Sequence, residues 1–476
     1  MGSINILSQS SAILLTLILS IIFLASGIYY SRKHKGLNNY LIANRDIGAF
    51  SLTASFVSSA LGAWVLFGPA SAATWGGIGA VIGYALGTAF PLFILIHLGE
   101  KFRKLFPKAK TLIEVVRLKF GKQLFKLILF LTVFYMAIFL IAEVTAVSLL
   151  VNYISGTSLW ITALIVVTSS LVYTLYGGLR ASIFTDSIQF IVFVILLIIV
   201  LVYFISFNFE QFSFEFIKLN KPNLLSFKYL PNFTAGLTFF IAVAATNLFH
   251  QGNWQRVYAA KNNYILKKSL LFSFFIIIPI VFFMGFSGLV AVSVNSNVVQ
   301  DLAFFSLLFK EQVIMLSVIV VILGISLTIS SIDTLINAIS SLIIVDGNKV
   351  INFKGNYFKL SNYLIISLSI IVFVVASKGL SILYLFLLAD LFCCSAVLTL
   401  FYSFYNKSIK EKNAYISILL GLIFGLLLFP SPDFSKSILI GLLLPNSIFP
   451  EFVSQSLLFL SFLLATFVPI FTWKIR

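Results

Sequence analysis

The sequence predicts an all-α, polytopic membrane protein of about thirteen transmembrane helices. Composition is the first reason: hydrophobic residues make up 60% of the 476 residues and charged residues 10%, against roughly a quarter charged in soluble proteins. So much apolar surface, at a mean hydropathy of +1.08, is solvated only by lipid. The second reason is a series of apolar runs near the roughly 20 residues that a span needs. The third is the placement of the basic residues between those runs.

The runs fall at 10–30, 50–72, 76–97, 123–153, 158–177, 182–206, 234–250, 267–294, 313–345, 362–378, 380–404, 414–430 and 454–472. The pair at 362–404 is divided only by Ser377-Lys378-Gly379, and 433–452, with Pro445 and Pro450, reads as an external loop or partial re-entry. Residues 1–11 carry no basic n-region. The run from Ala12 to Tyr30 is too long for a signal peptide and ends in Arg32-Lys33-His34-Lys35, so it is an uncleaved first span. With the N-terminus outside, the inner loops, the C-terminus and the adjoining membrane edges hold 26 of the 32 Lys and Arg residues. Lys218, Lys221, Lys228, Lys310, Lys378 and Lys436 remain outside. That imbalance is the positive-inside pattern, and a wrong span count would scramble it. The heavy use of Ile, Lys, Asn and Phe suggests an AT-rich bacterial genome, hence a bacterial inner (plasma) membrane with the C-terminus cytoplasmic.

No stretch is polar enough for a soluble domain, so residues 1–476 read as one membrane domain. An extra helix at 10–30 precedes two sets of five spans, 50–206 and 234–404, and two C-terminal helices follow at 414–472. Because five is odd, the second set runs inverted relative to the first, an arrangement in which broken helices at corresponding positions frame a midplane site. Each set opens with a breakable helix: Ser58-Ser59-Ala60-Leu61-Gly62-Ala63-Trp64 before Gly68-Pro69, and Ala244-Ala245-Thr246-Asn247 before His250-Gln251-Gly252. Small residues and Gly also serve close helix packing, but their matched positions favour a cavity.

The net charge of +17 does not indicate nucleic acid, because the basic residues sit in short loops between spans. Cys393 and Cys394 are adjacent, which is poor geometry for a mutual disulfide. His97 and His250 lack a second ligand at metal-site spacing. No nucleophile–base pair stands out, so an enzyme is not expected. A channel would need a polar stripe or filter sequence, and neither is found.

The string Tyr176-Gly177-Gly178-Leu179-Arg180-Ala181-Ser182-Ile183-Phe184-Thr185-Asp186-Ser187-Ile188-Gln189 resembles the signature of the sodium/solute symporter family. Tyr40-Leu41-Ile42-Ala43-Asn44-Arg45, Trp254-Gln255-Arg256-Val257-Tyr258-Ala259-Ala260-Lys261 and Ser330-Ser331-Ile332-Asp333-Thr334 resemble three further family strings in order and spacing. The resemblance, over about 10–405, implies the leucine-transporter fold, with ten core helices in two inverted repeats, and sodium-coupled uptake of a small polar solute. It implies that sodium is the coupling ion, with no organic cofactor. By the family pattern the cation is held by the hydroxyls of Ser330 and Ser331 and the carbonyls of Ser58, Leu61 and Leu327. Hard oxygen ligands suit sodium; a lone membrane Ser otherwise bonds back to its preceding turn. Ala60 stands where some members carry an acidic residue, so charge around the cation would be missing or come from elsewhere.

Four acidic residues fall within spans, where an ionised carboxylate needs a partner, a cavity or a proton. Asp186 reads either as part of the cation pathway or as a partner of Arg180. Asp333, one turn beyond Ser330, reads as a pathway residue near the cation. Glu143 and Asp390 either contact solute or hold helices together. Trp64, Tyr84 and Tyr135 are candidate pocket aromatics, although core packing explains most aromatics. Thr246, Asn247 and Gln251 sit at the second break. A proton-coupled carrier titrating Asp333 or Asp186 is the nearest rival, and a sensor is set aside because little chain follows the last span. Solute, sodium and lipid are the expected partners, with no nucleic acid and no obligate protein partner evident.

Overall fold

The computed structural model describes residues 3–208, 210–351, 353–406, 408–440 and 451–473. Among these the chain is helical, with two isolated bridges and no strand. In chain order the helices are α1 (Gln9–Arg32), α2 (Leu37–Ile42), α3 (Ala49–Ala60), α4 (Gly68–Leu105), α5 (Leu112–Lys119), α6 (Lys122–Ser155), α7 (Leu159–Asn208) and α8 (Phe214–Asn220). They continue as α9 (Leu230–Phe249), α10 (Gln251–Ala259), α11 (Asn263–Val294), α12 (Ala303–Leu308), α13 (Ile314–Val345), α14 (Tyr357–Ala376), α15 (Ile382–Tyr402), α16 (Glu411–Leu428), α17 (Glu451–Gln455) and α18 (Leu457–Thr472).

Among the described residues ten helices are long and apolar enough to cross a membrane. Three features bring the crossings to the expected thirteen: α7 is two spans joined at a kink, α3 and the first turns of α4 make one broken span, and the short apolar α18 makes another. The kinks lie at Gly77 (φ 58°) and Gly178 (φ 59°), left-handed backbone that glycine adopts without steric cost. Helix starts carry local signals: Ser8, Thr111, Asn262 and Asn356 accept N-terminal amides of α1, α5, α11 and α14. Gly156 (φ 70°) closes α6, and Gly379 (φ 65°) sits in the short link between α14 and α15.

The helix ends differ from the sequence reading in places. The third span continues past His97 to Leu105, because a helix needs no apolar face beyond the bilayer. No loop separates the fifth and sixth spans at 178–181; one glycine turns the helix. Residues 251–259, expected in a loop, form the buried helix α10. Of the segment 433–452, residues 441–450, with Pro445 and Pro450, lie outside the described residues, and Pro430 bridges to Ser437 just before them.

Between helices in lipid there is no hydrophobic drive, so close backbone packing and hydrogen bonds hold the bundle. Gly79, Gly83 and Gly87 recur one turn apart on α4 and bring its backbone against Asn232, Gly236 and Phe239 of α9. Central α13 packs on α3, α6, α7 and α10, and is largely buried, whereas α1 and α14 expose most of their surface. Loops assigned to one side lie together: Arg45 Nη2 donates to Ala109 O at 2.9 Å and Thr111 Oγ1 to Asp346 at 2.7 Å. At the opposite face Gln9 Nε2 reaches Gly156 O at 3.1 Å, and Ser71 Oγ reaches Asp301 at 3.0 Å.

Candidate functional site

The first break opens where α3 stops. Leu61 is extended (φ −107°, ψ 91°), Gly62 likewise (φ −88°, ψ −175°), and a 3₁₀ turn over Ala63–Leu66 leads to α4, whose Pro69 suits a first helical turn. The last carbonyls of a helix have no intrahelical donor, and among the described residues no backbone amide bonds to Ser58 O or Leu61 O. Glu143 of α6 fills the gap: its Oε2 accepts the Ala63 amide at 2.9 Å. A Cβ at Gly62 would lie 1.9 Å from Glu143 Oε1, so only glycine admits the carboxylate.

The second break is the single residue His250 (φ −63°, ψ 112°) between α9 and α10. Carbonyls freed at the end of α9 are taken up by α10 side chains, Asn253 Nδ2 to Asn247 O at 2.9 Å and Trp254 Nε1 to Leu248 O at 2.8 Å. This explains why α10 is polar yet buried throughout.

A cavity lies between the breaks. Trp64, Tyr84, Phe139 and Phe386 supply its aromatic wall, and Glu143, Asp390, Thr246, Asn247, Ser59, His250 and Ser331 its polar groups. Trp64 stacks on Tyr84 (5.8 Å between centroids) and tilts toward Phe386 at 6.1 Å. Thr246 Oγ1 donates to Asp390 Oδ1 at 2.7 Å. Ser331 Oγ and His250 Nδ1 are buried and have no hydrogen-bond partner among the described residues.

Adjoining the first break lies a polar cluster. Asp186 Oδ2 accepts from Ser55 Oγ at 2.5 Å and from Arg256 Nη2 at 2.8 Å, Oδ1 accepts from Ser330 Oγ at 2.6 Å, and Ser58 Oγ donates to the Asp186 carbonyl at 3.1 Å. Arg256 also donates to Ser55 Oγ, Gly252 O and Thr334 Oγ1. Asp186 thus pairs with Arg256 and not with Arg180, which instead meets Asp46 at 2.6 Å near the surface. Asp333 accepts hydroxyls from Tyr173 (2.5 Å), Ser182 (2.9 Å) and Thr185 (3.2 Å), so α13 is bound to both halves of α7.

Of the sequence-derived candidates, Trp64, Tyr84, Glu143, Thr246, Asn247, Asp390 and Ser331 share the cavity wall. Ser58, Leu61 and Ser330 lie at the adjoining break and polar cluster, and Leu327 one turn before Ser331 on α13. Two are placed elsewhere. Tyr135 packs on Phe139, Phe249 and His250, and Gln251 Oε1 accepts the Leu112 amide at 3.0 Å, anchoring α5. Sequence reasoning assigned no site role to Arg256, Phe139, Phe386 or His250. Phe139 and Phe386 carried a signal: each stands one turn before a span carboxylate, Glu143 and Asp390. Among the described residues no three His, Cys, Asp or Glu gather to hold a metal ion.

This architecture has relatives. Over 97% of the chain the fold matches 98% of a Na+-coupled sialic acid symporter solved in a substrate-bound, outward-open state, with a TM-score of 0.69 and 16% identity. It also matches MHP1, a nucleobase-cation-symport-1 family transporter, at a TM-score of 0.57 and 12% identity over 91% of the chain and 93% of MHP1. At such identities the likeness concerns the leucine-transporter fold. In sequence, the spermidine transporter DUR31 of Candida albicans is 26% identical over 382 residues, 79% of this chain and 72% of that protein. Sodium/glucose cotransporter 4 of Danio rerio is 27% identical over 195 residues, 39% of this chain and 29% of its own length. These relatives are transporters, not enzymes, and they support sodium-coupled solute transport across a membrane. The profile that matches residues 40–421 is that of the Sodium:solute symporter family, and the chain belongs to it.

Proposed function

We propose that the protein takes up a small polar organic solute together with sodium, by alternating access. The observation that carries the reading is the cavity between the two helix breaks, whose wall includes Ser331, the residue following Ser330 of the polar cluster. Sodium would be held by the Ser58, Leu61 and Leu327 carbonyls with the Ser330 and Ser331 hydroxyls. The open carbonyls at the end of α3 and the unpartnered Ser331 hydroxyl support this set. A cation there ties α13 to broken α3 and favours the outward-facing state that admits solute. Rocking of the bundle then opens the site inward. Asp186 and Asp333 line the way in, and the Asp186–Arg256 pair closes it. Glu143, Asp390, Thr246, Asn247, Trp64 and Tyr84 face the solute. The residues 50–206 and 234–404 are the inverted repeats that move.

We place the N-terminus outside and the C-terminus in the cytoplasm of a bacterial plasma membrane. Arg256 leaves the loop tally because it is buried, yet the excess of Lys and Arg on the inner loops persists. The names of the relatives, which mention spermidine, glucose and sialic acid, leave the solute to this chain's own cavity.

Uptake into proteoliposomes, with sodium or potassium outside and labelled solutes as cargo, tests the reading. Accumulation only with a sodium gradient is expected. Equal uptake with potassium, abolished when the proton gradient is dissipated, would replace sodium by proton coupling through Asp333 or Asp186. The complete engagement of both carboxylates with hydroxyl and guanidinium donors argues against that role.

A further inference from the structure

We infer that the solute is a linear di- or polyamine, bound with one ammonium group at Glu143 and another at Asp390; this rests on the symport reading above. Both carboxylates line the cavity, and both are almost wholly buried. Elsewhere in the spans charge is answered: Asp186 meets Arg256, and Asp333 accepts three hydroxyls. In the cavity it is not. Glu143 accepts a single amide and Asp390 a single hydroxyl, and among the described residues neither takes part in a salt bridge. Among the described residues no Lys or Arg lines the cavity. Buried carboxylates at membrane depth call for a cation, and the open space beside them is where it can arrive.

The wall says what the cation looks like. Phe139 and Phe386 touch edge to face, with centroids 4.8 Å apart. Each stands four residues before a carboxylate, about 6 Å along its helix, and α6 and α15 run antiparallel because they are the fourth and eleventh crossings. Glu143 and Asp390 therefore lie to opposite sides of the ring pair. Two ammonium groups separated by methylenes match that layout, with the chain against the rings and Trp64 available for a cation–π contact. His250 Nδ1 in the same wall, without a hydrogen-bond partner among the described residues, awaits a further polar contact. A hexose would leave both carboxylates unanswered, and a carboxylate solute would be repelled.

The test uses the full chain in proteoliposomes, with labelled putrescine, spermidine, glucose and sialic acid under a sodium gradient. Putrescine or spermidine should accumulate. In the wild type, butylamine should need about tenfold or more the concentration of putrescine to compete, since it answers one carboxylate only. Asp390→Asn and Glu143→Gln should each raise the half-saturating putrescine concentration about tenfold or more; the butylamine comparison stands even if a variant fails to fold. Sodium-driven accumulation of glucose or sialic acid without any amine would overturn the inference and leave sodium symport standing. Equal competition by butylamine and putrescine would overturn the two-site arrangement. Amine uptake that ignores sodium would overturn the symport reading and keep the amine.

Discussion

Arg256 Nη2 donates a 2.8 Å hydrogen bond to Asp186 Oδ2, and both side chains are completely buried, 70 residues apart in the chain. The same guanidinium reaches α3 through Ser55, α13 through Thr334 and its own helix through Gly252. Four elements around the first break are therefore joined through one cation, and any movement that separates them must break or move these bonds.

Loss of one partner strands the other charge. Arg256→Met and Asp186→Leu should each lower stability by about 3–5 kcal/mol, read as thermal unfolding of the purified protein in detergent. The double variant should lose less than the two singles added, because no unpaired charge remains. Strict additivity would mean the pair is not coupled.

The serines of α13 should separate binding from stability. Ser331 Oγ has no partner among the described residues, so Ser331→Ala should leave unfolding unchanged while raising the sodium concentration for half-maximal uptake, about tenfold if one ligand is worth 1.4 kcal/mol. Ser330→Ala also removes a donor from Asp186, so it should lower both sodium affinity and thermal stability. Unchanged sodium dependence in the double variant would remove both from the cation site.

Side-specific labelling checks the orientation. Lys108→Cys, in the loop after α4, should react only with reagent supplied from the cytoplasmic side, and Lys436→Cys, after α16, only from outside. Labelling of both from one face would overturn the arrangement of crossings.

Hydropathy made the spans legible because lipid solvates apolar surface and the backbone must satisfy itself within each crossing. The first break was legible at Ser58–Trp64, where Gly62 stands, but its reason was not: the Glu143 carboxylate occupies the space of the missing Cβ. The second break, read over 244–252, falls at His250 alone. Arg256 was read as a loop residue because 251–266 falls between two apolar runs; its partner lies on α7, and linear sequence carries no such distance. Glu143 and Asp390 stood open between solute contact and helix pairing, and they share the cavity wall. Tyr135 was indistinguishable from the pocket aromatics until packing placed it on Phe139 and Phe249.

The tightest relation in the cavity sets the last expectation. Glu143 Oε2 accepts the Ala63 amide at 2.9 Å, and its other oxygen occupies the space beside Gly62 that a Cβ would need. Gly62→Ala must push the carboxylate off the break, freeing the Ala63 amide and turning Glu143 away from the cavity. Transport should fall to near the level of Glu143→Ala. Once Glu143 is truncated, the added methyl has room, so Gly62→Ala in a Glu143→Ala background should cost little more. Neighbours that share one steric conflict behave in this non-additive way. Initial uptake rates of the wild type, both single variants and the double variant, normalised to protein in the membrane, provide the cycle. Losses that simply multiply would show that Gly62 serves the break through its backbone and not by admitting Glu143.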